Sequence, residues 1–331
     1  MNMQTISSMV KSIGFEGKSL LSINDLTNDQ LYGLFELGKA LEPWYRSGID
    51  FARNKVLLTL FFQPSTRTRH SFETAMYRLG GNVVSEPNPL VSSSAAKEES
   101  LNDTLRVESE YANVMVLRHF DDKAAKEAAG YATSPLINGG WGHWEHPTQA
   151  LLDLYTLYRV YGKIEGLKIC VASPNLIEAR TGHSMAYGLA RLGAQVYLAS
   201  TSQYRTPEEV ITKIKSVGNP NIHEEFDFTQ DSFNDFVSGM DYIYLPGCSA
   251  PKGPEAEAFK TIMDNYFVRY ETLEKVAKEQ NRNIFITHTL PRRAGEMDLR
   301  IDNSPHQLYF DAIAYSVAIR MALLASILGN D

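Results

Sequence analysis

The chain has 331 residues, 44% of them hydrophobic and 21% charged, with a formal net charge of −7 at pH 7. That length suits two domains of ordinary size, and the composition excludes a disordered chain. The negative balance argues against nucleic acid as a partner, although a local cationic pocket would not show in the sum.

The N-terminal stretch Met1-Asn-Met-Gln-Thr-Ile-Ser lacks a basic segment followed by an apolar core, so no signal peptide is expected. The first apolar, β-branched run covers residues 56–62 and leads directly into Pro64-Ser65-Thr66-Arg67-Thr68-Arg69. Pro64 and Ser65 suit the start of a helix, and Ser65 or Thr66 is placed to cap it. Free backbone N–H groups there favour an anion, and Arg67 adds a planar cationic fork that fits phosphate. Taken alone, the same stretch also reads as an ordinary capped helix with solvated arginines.

Residues 92–100 form a polar loop carrying Ser93 and one lysine, Lys97, ahead of a helical pattern from Leu101. The buried-looking strand 114–117 ends at Arg118. Arginines at two strand ends point to a convergent anion pocket. Gly139, Gly140 and Gly142 read as a loop, after which His146-Pro147-Thr148-Gln149 opens a helix of about residues 147–161. His146 and Gln149 then sit about one turn apart at the positive helix end, where an imidazole and an amide can polarise a carbonyl oxygen. The alternative is a capping histidine beside two tryptophans.

Apolar strand 167–172 opens a second α/β pattern, followed by Arg180 at the head of a helical segment that includes 183–192. Further strands are expected at 195–199, 242–245 and 284–287. The turn-rich loop 246–254 follows the apolar run 242–245 and is a candidate lid, because ligands in doubly wound folds sit at the carboxyl ends of strands. His288 reads as structural. Cys170 and Cys248 are far apart and have no Cys or His at metal-ligand spacing, so no disulfide or metal site is expected, and a cytoplasmic location fits. The final pattern, 307–328, is a long amphipathic helix. Its apolar stretch is cut by Arg320, which makes it a buried helix and not a membrane span.

Alternating strands and helices imply an α/β protein with two doubly wound domains, parallel sheets and helical links. The expected domains are 1–148, with 306–331 packing back on it, and 149–305.

Together these motifs resemble the aspartate/ornithine carbamoyltransferase family. "STRTR" at 65–69, "SSSAAKEESL" at 92–101, "HPTQALLDLYT" at 146–156 and "THTLPRR" at 287–293 stand in family order. The resemblance implies that Ser65, Thr66, Arg67 and Thr68 bind the phosphate of carbamoyl phosphate, joined by Lys97 and Ser93 from a neighbouring subunit of a homotrimer. It implies that Thr68, Arg118 and His146 polarise the carbamoyl oxygen. Gln149 and the backbone carbonyls at Thr289 and Leu290 hold the carbamoyl NH2, and Arg180 takes the α-carboxylate of an amino-acid acceptor. No metal and no organic cofactor is implied.

The ending "YFDAIAYSVAIRMALL" and the segment "RTGHS" resemble the aspartate branch, which implies pyrimidine biosynthesis. The aspartate enzymes, however, carry an Arg and a Gln on the loop after the strand matching 241–245, and here those positions are Gly247 and Ser249. Thr289 replaces a proline, and "RRAGEMD" also departs from the aspartate pattern. Burying a carboxylate without a cation is costly. The acceptor is therefore aspartate, with Lys252 or another residue supplying the charge, or it is a different amino-acid-like amine. A third reading is a catalytically silent carbamoyl-phosphate sensor or assembly subunit, and the presence of Arg67, Lys97, Arg118 and His146 together opposes it.

Overall fold

The computed structural model describes residues 2–217, 221–251 and 253–329. The chain divides into two units, one made of Met1–Tyr155 and Ile313–Asp331, the other of Thr156–Ala312. Both boundaries fall inside helices, Pro147–Tyr161 and Tyr309–Leu328.

In the first unit β1 (Val56–Phe61), β2 (Asn82–Glu86), β3 (Val114–His119) and β4 (Leu136–Trp141) form a parallel sheet of order β2-β1-β3-β4. β1 and β3 occupy its centre and read as continuous apolar runs because both faces are covered by helices. Leu58, Leu60, Met115, Leu117, Leu136 and Trp141 belong to one buried cluster of this unit. Each fully buried aliphatic side chain of this kind contributes about 1.5–3 kcal/mol relative to exposure.

β2 and β4 are absent from the expectation drawn from sequence. β2 is a largely exposed edge strand, so it lacks an apolar run. In β4 the glycines 139 and 140, read as loop residues, are inside the strand. Its outer edge is covered by the Leu20 segment, with Leu20 N donating to Leu136 O and Asn138 N to Leu20 O, both at 2.9 Å.

In the second unit β5 (Lys168–Ala172), β6 (Gln195–Ser200), β7 (Asn221–Phe226), β8 (Tyr242–Leu245) and β9 (Phe285–His288) form a parallel sheet of order β7-β6-β5-β8-β9. β7, "NIHEEF", is the other strand missed in sequence, again a polar edge. The core on one side joins Cys170, Ala172, Ile243, Leu245, Phe233 and Ile286. The strand order reverses between β1 and β3 in the first unit and between β5 and β8 in the second. Those switch points are where ligands bind in doubly wound sheets.

The C-terminal helix packs on the first unit, as expected. Ile327 O accepts from Gly17 N at 2.9 Å, and the Arg320 guanidinium lies 5.0 Å from the Phe72 ring centre. Arg320 is buried, which pushes its pKa down to about 10 against the opposing pull of Asp153, so it remains cationic at neutral pH.

Candidate active site

The donor half is built at the carboxyl ends of β1 and β3. β1 ends at Phe61, which is in register with Arg118 of β3, and Phe62 N donates to Arg118 O at 2.9 Å. After a short turn the helix Thr66–Arg78 begins. Ser65 holds the N-cap position with extended backbone, but its hydroxyl makes no capping bond. The Ser65 hydroxyl therefore does not fill the capping role read from sequence, and the positive end of the helix favours an anion. Ser65 is half-buried, Thr66 and Arg67 are exposed, and Thr68 is buried. Arg69 belongs elsewhere: its guanidinium donates to Ser85 Oγ at 3.0 Å and Glu73 Oε1 at 3.3 Å.

Arg118 is aimed by an irregularity in the sheet. The β3–β4 register runs Leu117↔Asn138 and then His119↔Trp141, so Gly139 and Gly140 together oppose Arg118. Such a bulge re-aims a side chain at the strand end. Arg118 Nη1 donates to Gly139 O at 3.0 Å, and Trp141 Nε1 donates to Leu117 O at 2.9 Å. Gly140 has φ +109, and a Cβ there would lie 2.7 Å from Arg118 Nη1 and 3.2 Å from His146 Cδ2. Only glycine allows the guanidinium and the imidazole to approach the strand this closely. Gly140 N is fixed in turn by Asn138 Oδ1 at 2.7 Å.

His146 is buried at the head of the Pro147–Tyr161 helix, with Nε2 3.4 Å from Thr68 Oγ1 and Nδ1 3.3 Å from Thr148 Oγ1. Thr68, Arg118 and His146 are thus brought together, as the sequence implied. Gln149 Nε2 donates to both oxygens of buried Asp153, at 3.1 Å each. A carboxylate only accepts, so the amide nitrogen is committed to Asp153, and Gln149 Oε1 is left to receive an N–H. The preceding Glu145 is fully buried and takes Ser22 Oγ at 2.7 Å and Ile23 N at 3.2 Å. Ser93 and Lys97 lie on a separate segment. Ser93 Oγ donates to Pro89 O at 2.8 Å, and Lys97 is exposed at the end of a single 3-10 turn, Ser94–Lys97.

The second unit carries the acceptor candidates at the carboxyl ends of β5, β8 and β9. Arg180 is half-buried in the first turn of the helix Arg180–Arg191, and burial lowers its pKa. The loop after β8 is tied from several sides. Pro246 O accepts Thr289 Oγ1 at 2.8 Å, Ser249 O accepts Asn175 Nδ2 at 2.9 Å, and Cys248 O accepts the Arg293 guanidinium. Gly247 has φ +79, with open space where a side chain would begin: the nearest atoms are 3.8 Å away. Gly247 and Ser249 are therefore on the loop as expected. Lys252, the proposed replacement cation, lies outside the described residues.

His288 is structural. Its Nδ1 accepts Leu290 N at 2.8 Å, so Nε2 carries the proton and donates to Glu296 Oε2 at 2.8 Å. Leu290 adopts φ +54, an uncommon conformation for a β-carbon residue, and the His288 bond helps to hold it. Glu296 also accepts Cys248 N at 2.9 Å and Arg293 N at 2.6 Å. Burial alone would raise its carboxyl pKa, but these donors outweigh burial and hold it below the ordinary range.

Sequence reasoning missed Gly140, Asp153, Arg293 and Glu296. Gly140 was visible only as one of a glycine cluster. Asp153 had a local signal, four residues beyond Gln149, which places the two on one helix face. The Glu296 contacts join loops from different strands and have no such spacing.

The first unit brings Thr68, Arg118 and His146 together beside a helix start at the switch point of its sheet, an arrangement of donors that suits an anionic group, and the second unit carries Arg180 at the carboxyl end of its own sheet. The comparisons agree. Residues 18–159 match the aspartate/ornithine carbamoyltransferase carbamoyl-P binding domain, and residues 165–327 match the Asp/Orn binding domain of the same family. The chain belongs to the aspartate/ornithine carbamoyltransferase family and is a carbamoyltransferase.

Among its relatives, the ureidoglycine carbamoyltransferase of Rubrobacter xylanophilus is 68% identical over 99% of this chain and 97% of its own. The aspartate carbamoyltransferase catalytic subunit of Methanopyrus kandleri is 38% identical over 96% of this chain and 99% of its own. The catalytic subunit of M. jannaschii aspartate transcarbamoylase superposes with a TM-score of 0.80 at 34% identity, covering 95% of this chain and all of that one. Aspartate transcarbamoylase from Trypanosoma cruzi, solved with carbamoyl aspartate and phosphate, gives 0.84 at 29% identity, covering 98% of each chain.

Proposed function

We propose that the protein transfers the carbamoyl group of carbamoyl phosphate to the α-amine of ureidoglycine, an acid whose α-carbon bears both an amine and a ureido group. The product carries two ureido groups on that carbon, and phosphate is released. The observation that carries this reading is the loop after β8, where Gly247 and Ser249 stand in place of the arginine and glutamine of the aspartate enzymes. A neutral ureido group needs no cation in place of that arginine, whereas a second carboxylate does. The 68% identity to a protein named for this acceptor supports the same choice over aspartate. With this acceptor, a place in pyrimidine biosynthesis is not proposed.

In the proposed mechanism, the phosphate is held by Ser65, Thr66, Arg67, Thr68 and the backbone N–H groups of the helix start, joined by Ser93 and Lys97 of an adjacent subunit in a cytoplasmic homotrimer. Thr68, Arg118 and His146 donate to the carbamoyl oxygen, where negative charge grows as the amine attacks. Gln149 Oε1 and the carbonyls of Thr289 and Leu290 accept from the carbamoyl NH2. Arg180 fixes the acceptor's α-carboxylate, so the neutral amine is aligned before reaction. The N–C bond forms, the C–O bond to phosphorus breaks, and the departing phosphate takes the amine proton.

The test is a panel of amines and amino acids, including freshly prepared ureidoglycine and aspartate, incubated with labelled carbamoyl phosphate and scored for labelled ureido product. Preferred labelling of ureidoglycine is expected. Efficient turnover of aspartate with none of ureidoglycine would overturn the reading.

A further inference from the structure

The segment Arg293–Glu296 lies in the stretch that departs from the aspartate pattern, and none of the roles assigned so far uses it. It reaches the acceptor loop twice. The Arg293 guanidinium donates to the carbonyl of Cys248, and the Glu296 carboxylate accepts the N–H of the same residue at 2.9 Å. Glu296 is buried, while Arg293 retains exposure. Both are in the second unit, and Glu296 forms part of the wall of a cavity of about 20 Å³ at the β5/β8 switch point, together with Ser173, Leu245, Gly247 and Cys248. That volume accommodates one water-sized group, such as a terminal –NH2.

The hydrogen-bonding capacities are unequal on the two sides of this pair. Three N–H donors already fall on Glu296, from Cys248, Arg293 and His288, which leaves one of roughly four acceptor sites on a carboxylate. Arg293 has five side-chain N–H donors, and one of its nitrogens is engaged at Cys248 O. Arg293 and Glu296 thus meet the loop at one residue, Cys248, the first with donors to spare and the second with a single remaining acceptor site. A ureido group offers the complement, one carbonyl oxygen and a terminal NH2. A carboxylate offers acceptors only, and it would carry a second negative charge to a cavity already walled by one.

We propose that Arg293 and Glu296 form the subsite that reads the ureido group of the acceptor, Arg293 donating to its carbonyl oxygen and Glu296 accepting from its terminal NH2. This rests on the ureidoglycine reading above. It assigns the specificity to a segment after β9 and not to a side chain of the loop after β8.

The test uses the full-length enzyme and its Arg293→Met, Arg293→Lys and Glu296→Gln variants, with initial rates measured against ureidoglycine and against carbamoyl phosphate separately. Arg293→Met should lower kcat/KM for ureidoglycine at least tenfold, through the KM of the acceptor, while the KM of carbamoyl phosphate stays within about twofold. Arg293→Lys should recover part of the loss, because an ammonium still donates but not as a fork. Loss of the tie to Cys248 O would by itself loosen the loop and lower the melting temperature, so an acceptor KM that rises while the melting temperature holds marks a contact with the acceptor. Arg293 is at the surface, so Arg293→Met decides the matter even where Glu296→Gln folds poorly. An unchanged acceptor KM in Arg293→Met, in an enzyme whose wild type uses ureidoglycine, overturns this subsite alone. A wild type that does not use ureidoglycine overturns the acceptor reading and the subsite together.

Discussion

Replacing Gly140 by alanine tests the geometry on which the polarising cluster depends. The backbone at Gly140, with φ +109, is one that L side chains rarely adopt, and holding alanine there costs roughly 1–3 kcal/mol. The new methyl carbon would also stand 2.7 Å from Arg118 Nη1, where ordinary contact begins at 3.4 Å. The guanidinium must then retreat by about 0.7 Å, or the bulge must open by as much. A misplacement of about 1 Å at a charge-stabilising group is worth on the order of 100-fold in rate. Gly140→Ala should therefore fold, melt lower by roughly 3–10 °C, and lose between about tenfold and 100-fold in kcat at saturating carbamoyl phosphate. Phosphate release gives the rate, and circular dichroism gives the melting temperature. A variant that melts lower by this amount yet keeps kcat within about threefold of wild type would refute the claim that the glycine serves Arg118 and His146.

The proposal of a site shared between subunits predicts complementation. Arg67→Ala should lose on the order of 3 kcal/mol or more of transition-state stabilisation, and Lys97→Ala should be similarly inactive. Mixed and exchanged subunits of the two should recover some activity, since certain interfaces combine an intact Arg67 with an intact Lys97. Proven exchange without recovery counts against a site built from two subunits. A third expectation concerns pH. The Glu296 carboxyl titrates below its ordinary value, so its stabilisation is fully present above the unfolded-state pKa and fades as pH falls through the folded one. Glu296→Gln should thus destabilise by about 1–3 kcal/mol at neutral pH and by progressively less as the pH falls below the ordinary carboxyl value of 4.5. A difference in melting temperature that stays constant across that range would argue against the ionised form.

The fold was legible where burial is two-sided. β1, β3, β5, β6, β8 and β9 are continuous apolar runs and stand out in the sequence, each within a residue or two of its observed span. β2 and β7 are edges, exposed on at least one face, and their polar residues give no such signal. β4 was hidden by the same glycines that let it pass close to Arg118. In the site, Ser65–Thr68, Arg118, His146 and Gln149 were readable because each sits at a strand end or helix start. The partners that fix them were not. Asn138 holds Gly140, and Glu296 holds Cys248 48 positions away. Contacts between loops leave no periodicity to read. Lys252, the cation weighed from sequence, lies outside the described residues, and the arginine that meets Cys248 O comes from beyond β9, a contact that no spacing along the loop announces.

The C-terminal helix has a consequence for how the protein comes into being. Its last turns cover Gly17, Gly38 and Phe72, the last of which is in the helix Thr66–Arg78. During synthesis, residues 156–312 leave the ribosome before this cover does. The acceptor unit can therefore collapse around its own core while the earlier-made half still lacks its final layer, a reversal of the usual N-terminal-first order. A nascent chain cut short by its last twenty residues would retain a place for the acceptor and lose the fold that holds the donor.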